Sequence, residues 1–283
     1  MTIRLAVPNK GRLQQPTAAM LKQGGLSYEK TERALAVPVR NMDLEVLFVR
    51  TDDVSEFVAD GVADLGITGI DLLAESGTDL EIVQKLGFGR CRLTAAVPKI
   101  SEIVSLQDLN GTRIATSHPA TTQRFFDSKG ITITTVPLSG SVEVAPKLDI
   151  ADAVVDLVSS GSTMLINGLR PIENILESEA VLVGRPGVSE QNGTLAQIIL
   201  TIQSVVAARR KRYVMMNAPS DAVAAIEALI PGFEAPTVIP LAHDHMVAIH
   251  SVVDSARLGS VLPELKEAGA TGILVLPIDQ LIA

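Results

Sequence analysis

The stretch Asp152-Ala-Val-Val-Asp-Leu-Val-Ser-Ser-Gly-Ser-Thr163 sets the reading of the whole chain. Val154 and Val155 give a short buried strand, and Asp156 falls at or near its C-terminal end. Ser159, Ser160, Gly161, Ser162 and Thr163 then lead into the apolar pattern of Met164, Leu165 and Ile166. Strand, loop and helix in that order make the unit of an open α/β sheet, whose ligands bind outside the C-terminal ends of the strands. Backbone N–H groups of such a loop, with a helix N-terminus, form a phosphate cradle. A carboxylate one strand-end away binds sugar hydroxyls, so the pair suits a ribose 5-phosphate. An ordinary Ser/Gly-rich helix cap explains the same residues equally well.

Working outward, the pattern repeats. Strands are expected at Ile3–Val7, Leu44–Val49 and in Asp64-Leu-Gly-Ile-Thr-Gly69, with helices near Gln14–Gly24, from Asp52 or Asp53, and from Asp71. A second α/β unit starts near Cys91, with strands at Leu93–Val97, Arg113–Thr116, Ile131–Val136, Ala153–Leu157 and Ala180–Val183 and a helix at Pro119–Lys129. This alternation predicts a parallel sheet with helices on its faces. Thr194–Ala208 carries Leu195, Ile198, Ile199, Ile202, Val205 and Val206 at helical spacing, and the run Arg209-Arg-Lys-Arg212 reads as its cationic end. The last seventy residues read β-α-β-β-α-β, the ferredoxin-like order.

The 283 residues suffice for two or three domains with sizeable cores. A net charge of −8 and the absence of Trp argue against nucleic-acid or membrane-surface partners. One cysteine, Cys91, excludes an internal disulfide and a Cys-cluster metal site. His243 and His245 read as incidental loop histidines rather than metal ligands. No apolar run approaches the ~20 residues of a membrane span, and the start lacks a secretory pattern, so a cytoplasmic protein is expected.

Several single residues carry two readings each. Lys10, Gly11, Arg12 and Leu13 follow the first strand, where a cation meets a triphosphate or is merely a turn residue. Arg50 ends a buried strand, a place from which its guanidinium can bind phosphate bidentately. Thr68-Gly69-Ile-Asp71 suits an adenine or ribose edge, or simply caps a helix. His118 packs on adenine or faces solvent, and Cys91 reads as a half-buried structural thiol.

The longer signature Glu143-Val-Ala-Pro-Lys-Leu-Asp-Ile-Ala-Asp-Ala-Val-Val-Asp-Leu-Val-Ser-Ser-Gly-Ser-Thr-Met164 resembles the phosphoribosyl-diphosphate loop of the ATP phosphoribosyltransferase family. Asp149 departs from it, standing where the family pattern has Gly. Pro8-Asn-Lys-Gly-Arg-Leu13, Gly61–Gly69, Phe88–Leu93, Arg113–Pro119, and Lys129-Gly130 resemble the same family in order. Tyr213-Val-Met-Met-Asn-Ala-Pro219 and Pro231–Thr237 resemble the regulatory domain of its long form.

The resemblance implies a two-lobed, periplasmic-binding-protein-like catalytic body with a ferredoxin-like regulatory domain. Lobe I would take residues 1–90 and 180–210, lobe II residues 91–179, and the regulatory domain residues 211–283. It implies a transferase in which adenine N1 of ATP displaces diphosphate from phosphoribosyl diphosphate with Mg²⁺, the first step of histidine biosynthesis, inhibited by L-histidine in a hexamer built from dimers. Asp156 would hold ribose hydroxyls, Ser159–Thr163 the 5-phosphate, and Glu143 the ribose or the Mg²⁺ shell. Lys10, Gly11, Arg12, Leu13, Arg50, Gly69, Asp71 and His118 would meet ATP, and Asn217, Thr237 and Gly272 L-histidine. A ligand sensor and a phosphoribosyltransferase for another base are the competing classes.

Overall fold

The computed structural model describes residues 2–29, 34–159 and 162–282, with the backbone alone at Ser162 and Thr163. The chain begins β1 (Ile3–Pro8), α1 (Gln14–Gln23), β2 (Ala36–Pro38), β3 (Leu44–Val49), α2 (Val54–Ala59), β4 (Leu65–Gly69), α3 (Ile70–Ser76) and β5 (Glu81–Lys85). It continues β6 (Cys91–Pro98), β7 (Arg113–Thr116), α4 (Pro119–Ser128), β8 (Thr134–Pro137), β9 (Ala153–Val158), α5 (Ser162–Ile166), β10 (Leu169–Ser178) and β11 (Ala180–Gly184). The remainder is α6 (Thr194–Arg209), β12 (Lys211–Pro219), α7 (Val223–Leu229), β13 (Thr237–Pro240), β14 (Met246–Asp254), α8 (Leu258–Glu267) and β15 (Thr271–Pro277).

Two compact units result. One comprises Met1–Ala19 and Leu26–Ala196, the other Met20–Gly25 and Gln197–Ala283. The first unit holds two sheets, ordered β2-β3-β1-β4-β11-β5 and β10-β6-β9-β7-β8. The expected parallel sheet is corrected to two mixed sheets. β1 runs parallel to β3 and β4, and β7 to β8 and β9, but β6 is antiparallel to β9 and β10, and β11 to β4 and β5. The strands opposed to their sheets are β2 and β11 in the first and β6 in the second. Each sheet is lined by its own apolar cluster, with Val54 and Val58 of α2 against the first, and Phe126 of α4 with Leu93 and Ile114 in the second.

The second unit contains the four-stranded antiparallel sheet β13-β14-β12-β15. Val214, Ile249, Ile226 and Leu265 fill the core between its strands and α7 and α8. The basic run is split rather than gathered at a helix end. Arg209 closes α6, while Arg212 donates to the Arg209 and Lys211 carbonyls and Lys211 pairs with Asp254 at 3.1 Å. Among the described residues no helix is long and apolar enough to cross a membrane.

Asp149 has φ +54°, a left-handed conformation that Gly adopts freely and Asp tolerates better than most residues. Arg113 holds the turn by donating to the Asp149 carbonyl at 3.1 Å and to both carboxylate oxygens of Asp152. Asp149 precedes β9, whereas Asp156 and Ser159 lie towards its far end, and the strand spans roughly 17–20 Å. The Asp149 charge therefore lies at the opposite end of β9 from Ser159.

Candidate active site

Asp71, in the first turn of α3, is the centre of a polar junction between the two sheets of the first unit. Its carboxylate accepts from Arg12 Nη2 at 2.8 and 3.0 Å and from the Ser178 hydroxyl, while its own N–H donates to Ser178 Oγ at 3.0 Å. Burial opposes ionisation of Asp71. The facing His118 imidazole, the Arg12 charge and the Ser178 hydroxyl outweigh it and hold the carboxyl at about 2. His118 Nε2 stands 3.5 Å from Asp71 Oδ2, beyond a well-formed hydrogen bond, and has no hydrogen-bond partner among the described residues.

Gly69 makes the junction possible. A Cβ there would sit 2.2 Å from Asp71 Oδ1 and 3.1 Å from Arg12 Nη2. Neither Thr68 nor Asp71 caps α3, contrary to the capping alternative, because the Thr68 hydroxyl bonds the Thr51 carbonyl and the Asp71 carboxylate faces Arg12 and Ser178. Asp53 likewise makes no side-chain cap on α2. His118 is 3 % exposed, so the solvent-facing alternative fails. Cys91 is fully buried rather than half-buried, and Arg12 Nη1 donates to its sulfur at 2.7 Å. Burial pushes the thiol up, so Cys91 offers no thiolate nucleophile.

Asp156 lies in the C-terminal half of β9 and is half-buried, as the strand-end reading requires. The Leu157 N–H donates to its Oδ1 at 2.7 Å. Burial raises its pKa above the ordinary carboxylate value and the Glu143 charge adds to this, while the Leu157 N–H and His118 pull against it. Glu143, on the 3-10 turn Val142–Leu148, is near enough for its charge to act on Asp156, and one or two carboxylates together with phosphate oxygens are a common setting for Mg²⁺. No group of three or more His, Cys, Asp or Glu among the described residues forms a metal site by itself. Ser159 is exposed, α5 begins directly at Ser162, and Ser160 and Gly161 lie outside the described residues.

A cavity of about 550 Å³ opens beside the Asp71 junction, lined by Arg12, Leu13, Thr51, Asp52, Asp71, Glu75, His118 and Leu157 among others. It gathers Arg12, Leu13, Asp71 and His118 from the expected ATP set. Gly11 adopts φ +83° with open space around it, so the turn geometry, not close approach, calls for glycine. Lys10 and Arg50 are exposed at the ends of β1 and β3 and line neither this cavity nor the next. Arg12, expected to meet ATP, has its guanidinium engaged by Asp71 and Cys91.

A second cavity of about 550 Å³ includes Lys85, Arg90, Arg92, Val158 and Ser159 in its lining. These cations beside the loop were not singled out individually from sequence. Arg90 and Arg92 fall within the Phe88–Leu93 motif, but Lys85 has no local signal. In the second unit, Asn217 and Gly272 are neighbours, a Gly272 Cβ falling 3.8 Å from Asn217 Nδ2. Thr237 stands apart from them within the chain. It pairs with His250 on β14, which itself pairs with Met215 on β12, two strands across the sheet. Gly272 has φ +57°, so backbone conformation rather than ligand crowding requires glycine there.

Comparison with known proteins supplies the family. The ATP phosphoribosyltransferase family model matches residues 50–204, and the model of the HisG C-terminal domain matches residues 208–280. The ATP phosphoribosyltransferase of Bacteroides fragilis is 43 % identical over 281 residues, covering 99 % of both chains. That of Natronomonas pharaonis is 42 % identical over 281 residues, covering 99 % of this chain and 100 % of its own. A chain of the ATP phosphoribosyl transferase (HisG:HisZ) complex from Thermotoga maritima superposes with TM-score 0.64 at 30 % identity, over 72 % of this chain and 98 % of that one. An α/β body with a strand-end carboxylate, joined to matches of this length, defines an enzyme of the transferase class. The chain belongs to the ATP phosphoribosyltransferase family, in its long form with the C-terminal domain. Enzymes of this type carry out the first step of histidine biosynthesis.

Proposed function

We propose that the enzyme joins ATP, through adenine N1, to phosphoribosyl diphosphate, giving phosphoribosyl-ATP and diphosphate. The observation that carries this reading is Asp156, half-buried on β9 and followed at once by the small-residue segment from Ser159. The N1 lone pair forms the bond to C1 as the C1–O bond to diphosphate breaks, and its electron pair leaves with diphosphate. Asp156 accepts from the ribose hydroxyls and fixes C1 in line with N1, an orientation effect that converts encounter into a near-unimolecular step. The burial that raises Asp156 strengthens its interaction with developing positive charge on the sugar. Mg²⁺, when bound, neutralises charge on the departing diphosphate, and Glu143 and Asp156 are the residues that would hold it.

The Ser159–Thr163 segment receives the 5-phosphate, with Lys85 and Arg92 of the adjoining cavity adding positive charge. Lys10 and Arg50 take the triphosphate, because Arg12 is neutralised by Asp71. L-histidine binds the C-terminal domain near Asn217 and Gly272 and favours a less active arrangement of a hexamer built from dimers, a coupling that requires different affinities for two states.

The test incubates the full chain with ATP and phosphoribosyl diphosphate, with and without Mg²⁺, and measures the adduct and released diphosphate. Mg²⁺-dependent, stoichiometric formation of both is expected. Diphosphate release with another base but not with ATP would move the acceptor assignment. Unchanged turnover at saturating L-histidine would remove the inhibitory role.

A further inference from the structure

We propose that Glu75 is a positioning residue for the transfer reaction, a latch that holds the two sheets of the first unit closed over the cleft. The inference deepens the transferase reading and in its kinetic part rests on it. Helix α4 begins at Pro119, and its N-cap residue His118 makes no side-chain cap. The exposed N–H groups of a helix start must find acceptors elsewhere. Those of Ala120 and Thr121 each donate to one oxygen of the Glu75 carboxylate, both at 2.8 Å. Glu75 belongs to α3, which follows β4 of the first sheet, whereas α4 follows β7 of the second. The cap is therefore supplied from across the cleft, with the helix dipole favouring the carboxylate.

Three further features bear on this contact. Arg124, one turn into α4, donates back to the Ala74 carbonyl and to Thr121 Oγ1. Asp71, four residues before Glu75 and so on the same face of α3, meets Arg12, Ser178 and His118. Glu75, Asp71 and His118 all line the Asp71-side cavity. The carboxylate at 71 is buried and held by several partners, whereas the Glu75 contact rests on two backbone donors, and in the proposed latch it is this contact that is made on closure.

A ligand that binds only the closed arrangement has its apparent affinity reduced by the fraction of molecules that are closed. Removing the latch lowers that fraction, so KM rises, while saturating substrate still draws the enzyme shut and largely restores kcat. For Glu75→Ala, KM for both substrates is expected to rise roughly tenfold, with kcat within about threefold of wild type. Glu75→Gln keeps one acceptor oxygen for two donors and should fall between. A merely structural role would lower the yield or thermal midpoint of folded enzyme without this split.

The direct test is independent of turnover. Spin labels on Asp60→Cys and Ser128→Cys, exposed positions on the two sides of the cleft, report the distance between them, Cys91 being buried and unlabelled. In full-length protein, Glu75→Ala should broaden and lengthen the distance distribution, with Glu75→Gln intermediate. An unchanged distribution in Glu75→Ala overturns the latch, whatever the kinetics. If wild type shows no transfer yet the distances lengthen, the latch stands and only the reaction assignment fails.

Discussion

Replacing Asp71 by asparagine removes the charge at the centre of the polar junction while keeping the side chain's shape. The carboxyl is lowered from an ordinary 3.8 to about 2, just under two pKa units. At ~1.36 kcal/mol per unit this is roughly 2 kcal/mol of stability carried by the ionised form. Breaking a fully buried pair commonly costs about 3–5 kcal/mol through the charge left behind. The Arg12 side chain is 31 % exposed and can rehydrate, which keeps the expected loss near 2 kcal/mol. A depressed carboxylate pKa contributes stability above its unfolded value and loses it as pH falls through the folded value. The gap between wild type and Asp71→Asn should therefore be full from about pH 5 upward and close as pH falls from ~4 towards ~2. Urea unfolding of both proteins across that range measures it. A gap that stays constant with pH would refute the argument that Arg12, Ser178 and His118 hold an ionised carboxylate.

Two other substitutions test separate parts of the molecule. Asp156→Asn should lower kcat/KM tenfold or more, in line with a charge-assisted contact of ~1.5–3 kcal/mol, with no loss of fold. Because the wild-type carboxyl titrates above its ordinary value and acts ionised, activity falls as pH drops through that raised pKa, and the variant lacks this acid limb; steady-state pH profiles check both. Asp149→Gly should relieve the left-handed strain at φ +54° while loosening the unfolded chain, leaving stability within about 1 kcal/mol. Its kcat/KM should match wild type, and a change beyond threefold would show that the charge reaches the substrate.

Local pattern alone determined much of this protein. The β9 strand, Asp156 near its end and the small-residue loop are consecutive, so a short apolar run followed by Ser and Gly suffices to find them. The βαββαβ order of the second unit is equally local, since its strands and helices alternate with turn residues between them. The left-handed turn at Asp149 was readable because Asp tolerates that conformation. Strand β10 was not readable: Pro171 interrupts it, and two register shifts against β6 blur the alternation. The Asp71 junction was hidden for a different reason. Arg12 lies 59 residues from Asp71, and Ser178 lies 107 residues from it. Such partners carry no joint periodicity and meet only when α3, β10 and the turn after β1 are packed together. Whether His118 faced solvent or a buried carboxylate, and whether Arg12 was free for phosphate, were likewise decided by that packing. Burial makes an unpaired Asp71 so costly that the fold must commit Arg12 to it.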